Sequence, residues 1–143
     1  MTDFRVVEAD WVRDRNALTR LRFEVFVSEQ RVPPELELDG IDPECRHVQA
    51  ISADDSLIGC ARVLPDHHVG RMCVARAWRG RGVGSAILRF IINEARSQSI
   101  DALHLNAQLS ALPFYQRFGF EAVGDVFMDA GIEHRKMTLI IDP

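Results

Sequence analysis

From residue 69 to residue 95 the chain passes through three patterns in a fixed order. Val69 to Ala75 is a mostly apolar run that reads as a strand. Trp78-Arg79-Gly80-Arg81-Gly82-Val83-Gly84 follows, and then Val83, Ile87, Leu88, Ile91, Ile92 and Ala95 recur at helical spacing. Strand, glycine turn and amphipathic helix in this order commit the chain to a sheet with a helix packed across it. The same order can hold an anion. Glycines let backbone approach closely, and a helix start offers free N–H groups and the positive end of its dipole. Gly80, Gly82 and Gly84 alternate, and Arg79 and Arg81 add positive charge. A Walker loop would need a lysine where Val83 stands before Gly84-Ser85. A dinucleotide fingerprint counted from Gly80 and Gly82 would need glycine at Ser85. The plain alternative is a glycine turn that only joins strand to helix. Three alternating glycines with two arginines favour phosphate instead.

Around this unit the chain reads as strand Phe4–Val7, then a helix with Asp10 as N-cap and Trp11, Leu18, Leu21 and Val25 on one face. That helix must end before Pro33-Pro34. Residues 35–44 are acidic loop or a short helical turn. His47–Ile51 and Leu57–Leu64 form a hairpin, and Pro65–His68 turns into the strand before the glycine loop. Ala102–Ala107 is a strand. Ser110 is placed to cap a short helix to about Phe118, and Gly119 to end it. Glu121–Phe127 and His134–Ile141 are the last strands, around a turn with Gly131. Hairpin-linked strands followed by crossover helices give an α/β fold: a mixed, mostly antiparallel sheet with helices on both faces.

The 143 residues suit one domain, residues 1–143, and 47% hydrophobic with 27% charged residues is ordinary for a globular chain. A net charge of −4 disfavours nucleic acid or a membrane surface as a general partner. No apolar run is long enough to span a membrane, and Met1 to Asp10 lacks a secretory signal, so a cytoplasmic location is expected. Cys45, Cys60 and Cys73 form no CxxC pair, and Cys60 and Cys73, in apolar stretches, read as reduced, buried small hydrophobes. Cys45-x-His47 and His67-His68 supply ligand types, but no second pair stands at zinc spacing, so no metal is expected. The arginines 76, 79, 81 and 89 have no interleaved aromatic platform, which again leaves nucleic acid aside.

Arg79-x-x-Gly82-x-Gly84 resembles the signature of the GNAT N-acetyltransferases, and the resemblance covers nearly the whole chain. It implies the GNAT acyl-CoA N-acyltransferase fold and acetyl-CoA as co-substrate. By the same resemblance, the backbone of Met72, Cys73 and Val74 would hold the pantetheine arm. The N–H groups of Arg79, Gly80, Arg81, Gly82, Val83, Gly84 and Ser85 would hold the pyrophosphate. Gln108 stands where the family usually has an asparagine that meets the cofactor. Leu21-Arg22-Phe23-Glu24-Val25-Phe26-Val27, Glu29-Gln30, Asp39-Gly40, His47, Arg62-Val63-Leu64-Pro65 and Gly131-Ile132-x-His134 are similar to the ElaA-type branch. That branch usually has proline where this chain has Glu133.

Transfer of an acetyl group to an amine needs a held thioester, a neutral amine, a donor for the oxyanion and help for the leaving thiolate. The resemblance gives Tyr115, the only tyrosine, the acid role, and the Val74 N–H the oxyanion. A phenol is protonated at neutral pH, and the plain alternative for Tyr115 is packing beside Phe114 and Phe118. Glu29, Asp39 and His134 are candidates for the base or for acceptor contacts, with Glu24 behind them. Each reads equally as a solvated or capping residue. If the acids line the acceptor site, they favour a cationic amine such as a polyamine, amino sugar or peptide amine. The implied activity is acetyl transfer to a primary amine of a small molecule or peptide by direct attack. A non-catalytic acyl-CoA-binding or regulatory module is the alternative, and a scaffold protein a third reading. The C-terminal strand offers an edge for a homodimer.

Overall fold

In the computed structural model, which describes residues 3–142, the strands form one seven-stranded sheet in the order β1-β2-β3-β4-β5-β7-β6. They are β1 Phe4–Ala9, β2 Arg46–Ser52, β3 Leu57–Val63, β4 His68–Val74, β5 Ala102–Gln108, β6 Glu121–Asp129 and β7 Ile132–Ile140. Every neighbouring pair is antiparallel except β4 and β5. The crossover between those two carries helix α3, Val83–Ser97. A parallel connection needs such a crossover, whereas the antiparallel neighbours can be joined by short turns.

The expected apolar face of α3 is the buried one. Val83, Ile87, Leu88, Ile91, Ile92 and Ala95 pack with Val48, Ala50, Ile58, Leu103, Leu105 and Met137 in the larger core. Each large side chain there contributes about 1.5–3 kcal/mol of burial before opposing costs. Gly59 allows the close approach: a Cβ on it would lie 2.9 Å from Val83 Cγ1 and 3.0 Å from Ile87 Cδ1. Helix α1, Trp11–Arg22, covers the opposite face with Leu18 and Leu21 against Cys60 and Cys73. Those two free thiols face each other across β3 and β4, 3.7 Å apart. No helix among the described residues is long and apolar enough to cross a membrane.

Two local departures from the sequence expectations matter for the site. The first helix does not stay α-helical to its end. From Phe23 to Glu29 it widens into a π-helix, with the Gln30 N–H donating to Val25 O at 3.1 Å. Such wide turns re-aim side chains and favour functional sites. Ser110 does not cap the short helix. A 3₁₀ turn, Leu109–Ala111, comes first, and α4 is Leu112–Gln116 with Ala111 as an N-cap that makes no side-chain bond. Pro113 occupies its first turn, where a missing N–H costs nothing.

A buried ionic cluster ties helix α2, Pro34–Glu37, and the 3₁₀ turn Asp42–Glu44 to the sheet. Arg22 reaches Glu37 and, at 2.8 Å, Asp42. Arg62 bonds Asp42 at 2.9 Å and Asp39 at 3.0 Å. The Arg62 hydrogen bond holds the Asp39 carboxyl well below its ordinary range. Burial alone would raise Asp42, but Arg22 and Arg62 outweigh it and hold that carboxyl low as well. Burial pushes His47, stacked on Trp11, down and keeps it neutral. All three folded-state values are depressed, so the stability they carry is present above the unfolded-state values and drains as pH falls. Thermal melting should therefore begin to weaken below about pH 6.5, as unfolded His47 gains a proton, and fall steeply below about pH 4. A melting temperature unchanged from pH 7 to pH 3 would contradict this.

Candidate active site

The parallel ladder between β4 and β5 is only two residue pairs long, His68 with His104 and Val69 with Leu105. Beyond it the strands part. Gly70, Cys73 and Val74 of β4 stay paired to β3 on one side, and on the other residues 70–74 present a bare backbone edge. A bulge in β4 marks the parting. Between the Cys60–Cys73 and Arg62–Gly70 pairs β4 carries an extra residue, and Arg71 takes a left-handed φ of 49°. Its Nη2 donates to Leu36 O and Glu37 O, both at 3.1 Å, which fastens α2 beside the cleft.

Past the C-terminal end of β4, the 3₁₀ turn Arg76–Trp78 leads into the glycine loop. Gly80 and Gly82 have φ of 76° and 83°, a region that side-chain-bearing residues avoid. A Cβ on either would meet nothing within 4 Å, so the outer face of the loop is open backbone. Gly82 is the N-cap of α3, and the amides of Val83, Gly84 and Ser85 have no acceptor within the helix. Gly84 faces inward, where a Cβ would lie 3.6 Å from the Phe114 ring.

The charge of the loop differs from the sequence expectation. The Arg79 side chain is occupied within the protein: its Nε donates to Val74 O at 3.0 Å, and Nη1 and Nη2 meet Glu29 at 2.8 and 3.0 Å. The Arg79 amide also donates to Arg76 O, at 3.3 Å. Arg81 lies over the Trp78 ring, 4.6 Å from its centre.

A cavity of about 560 Å³ opens where the strands part, its walls including Phe26, Met72, Gln108, Tyr115 and His134. That is a size suited to a small molecule. Tyr115, on α4, packs edge-on against Phe114 and Phe120. Burial pushes its phenol up to about 12. Its hydroxyl makes one weak contact, to Met72 Sδ at 3.9 Å, so the O–H is protonated and free to donate elsewhere. Gln108 ends β5 and donates from Nε2 to Gln30 Oε1 at 3.0 Å.

Of the candidate base and acceptor residues, only His134 lines this cavity. Register places it opposite Gln108, and it is 9% exposed. Its Nδ1 lies 2.7 Å from Ile132 O, which assigns the proton to Nδ1 and leaves Nε2 as an acceptor. Glu29 is turned to Arg79, whose hydrogen bond lowers its carboxyl. Asp39 is held by Arg62 and Arg71. Glu24 is exposed, away from the cavity. The idea that Glu29 and Asp39 draw a cationic amine into the site is thus corrected: both are paired to arginines and neither lines the cavity. Gln30 and Arg71 are the site-forming residues that sequence reasoning did not single out. Gln30 stood inside a quoted motif with no role attached, and Arg71 stood in the strand before the glycine loop with no role for its side chain. Among the described residues, no three His, Cys, Asp or Glu side chains come together as metal ligands.

Residues 14–141 match a family described as an acetyltransferase (GNAT) domain. An uncharacterized N-acetyltransferase of Bacillus subtilis, YjcF, is 35% identical over 121 residues, covering 82% of this chain and 86% of that protein. The crystal structure of Escherichia coli ElaA superposes with a TM-score of 0.83 at 31% identity, over 97% of this chain and 99% of that one. An acyl-CoA N-acyltransferase from Pseudomonas aeruginosa superposes with a TM-score of 0.85 at 29% identity, over 95% and 99% of the two chains.

Proposed function

This chain belongs to the GNAT acetyltransferase family, and on that premise we propose that it moves an acetyl group from acetyl-CoA to a primary amine of a small molecule or peptide by direct attack on the thioester. The observation that carries the reading is the parting of β4 and β5, with the cavity holding Tyr115 and His134 where the strands separate and the open glycine loop past the end of β4. The amides from Gly80 to Ser85 suit the pyrophosphate. The free edge of Met72, Cys73 and Val74 suits the amides of the pantetheine arm, with Gln108 across the cleft. Acetyl-CoA supplies the activated acyl group.

The remaining steps belong to the chain. His134 Nε2 accepts the proton of the incoming amine. The Val74 N–H donates to the oxygen of the reacting carbonyl. As the carbon–sulfur bond breaks, Tyr115 donates a hydrogen bond to the sulfur. Its phenol, near 12, is a weaker acid than a thiol at about 8.5. Tyr115 therefore stabilises the thiolate and keeps its own proton. No cysteine lies where it would form an acetyl-enzyme: Cys60 and Cys73 are buried in the core under α1, and Cys45 donates to Ile41 O before β2, outside the cavity wall.

Thiol release from acetyl-CoA, measured against a panel of polyamines, amino sugars and short peptides, tests the reaction. The Tyr115→Phe variant should lower turnover about 100-fold while leaving acetyl-CoA affinity unchanged. Turnover equal to that of the wild type would remove Tyr115 from the mechanism. Acetyl-CoA binding with no thiol release from any amine would favour a binding module.

A further inference from the structure

Glu29 and Gln30 are consecutive residues at the end of the π-helix, and they reach opposite sides of the cleft. Glu29 holds Arg79, whose Nε is bonded to Val74 O at the end of β4. Gln30 accepts from Gln108 at the end of β5. One dipeptide therefore spans the gap where the two strands have parted. The same π-helix places Phe26 in the cavity wall. Glu29 also removes charge from the loop: its carboxylate meets both terminal nitrogens of Arg79 and lies 3.8 Å from Arg76.

We infer that Glu29 and Gln30 are positioning residues, a strap that fixes the width of the cofactor cleft and keeps the Arg79 charge from the cofactor's phosphates. The inference rests on the acetyl-CoA reading of the site. It assigns phosphate recognition to the loop backbone rather than to the Arg79 guanidinium. It also explains why the two residues are a carboxylate and an amide. The carboxylate neutralises and orients a guanidinium through two nitrogens. The amide accepts from Gln108 without adding charge to the cleft.

Calorimetric titration of acetyl-CoA at low and high ionic strength tests the strap. Glu29→Gln keeps the side-chain size and unmasks Arg79. It should bind acetyl-CoA about threefold more tightly than wild type at low salt, with the gain lost at high salt, where screening is strong. The Glu29→Gln/Arg79→Gln double variant should lose that gain. A merely structural role for Glu29 would not change the salt response. Gln30→Ala releases Gln108 without changing charge, and should weaken binding by a similar factor at both salt concentrations. Wild-type affinity and salt response in Glu29→Gln, or wild-type affinity in Gln30→Ala, would overturn the strap. Failure of the wild-type protein to bind acetyl-CoA would overturn the acetyl-CoA reading itself, and the strap with it.

Discussion

Replacing Arg22 by Met should destabilise the protein by about 3–5 kcal/mol, the usual result of removing one partner from a buried ion pair. Arg22 is 2% exposed and serves Glu37 and Asp42, themselves 2% and 3% exposed. Methionine fills much of the volume but leaves both carboxylates short of a donor in a place water does not reach. Arg71 and Arg62 would still serve them in part. For a chain of this length the loss corresponds to a melting temperature lower by about 10–15 °C. The exposed pair Arg5–Asp55 provides the contrast. Arg5→Met should cost less than about 1 kcal/mol, since water screens that pair. Equal effects of the two substitutions would mean that the cluster does not fasten α2 to the sheet.

Gly82→Trp should remove measurable acetyl-CoA binding, a loss of at least about 100-fold, or 2.8 kcal/mol. At this position the backbone is left-handed and the space beside it is open. An indole there would cover the amides at the start of α3, which are the groups proposed to hold the pyrophosphate. The left-handed φ adds a strain of about 1 kcal/mol for any side chain. Gly82→Ala separates the two effects, because it carries the strain without the bulk. It should retain most of the affinity. Equal loss in both variants would point to strain in the loop rather than to occlusion of an anion site.

Local patterning made much of this architecture readable. The period of α3, the glycines after β4 and the alternation in β7 each state their own structure. What escaped was set by contacts between distant segments. Arg22, Asp39, His47 and Arg62 stood in the sequence as parts of a branch motif. Only the fold brings α1, the turn before β2, and β3 together, so the buried ionic cluster had no local signature. The π-helix was hidden because its apolar spacing also fits an α-helix, and one hydrogen bond displaced by a residue does not show in hydropathy. That displacement bears on Glu29, which reads from sequence as a free carboxylate and is in fact paired to the loop. Tyr115 was visible as the only tyrosine, while its raised pKa depends on the packing of Phe114 and Phe120 around it. His134 was one of several candidate bases, and its place in the cavity wall, opposite Gln108 in the sheet, is what sets it apart.

The most direct test of the account is calorimetric titration of the wild-type protein with acetyl-CoA. The expected result is saturable binding at one site per chain, competed by free CoA and lost in Gly82→Trp. Absence of binding by a folded wild-type protein, or unchanged binding in Gly82→Trp, would contradict the placement of acetyl-CoA on the glycine loop and in the cleft beside β4.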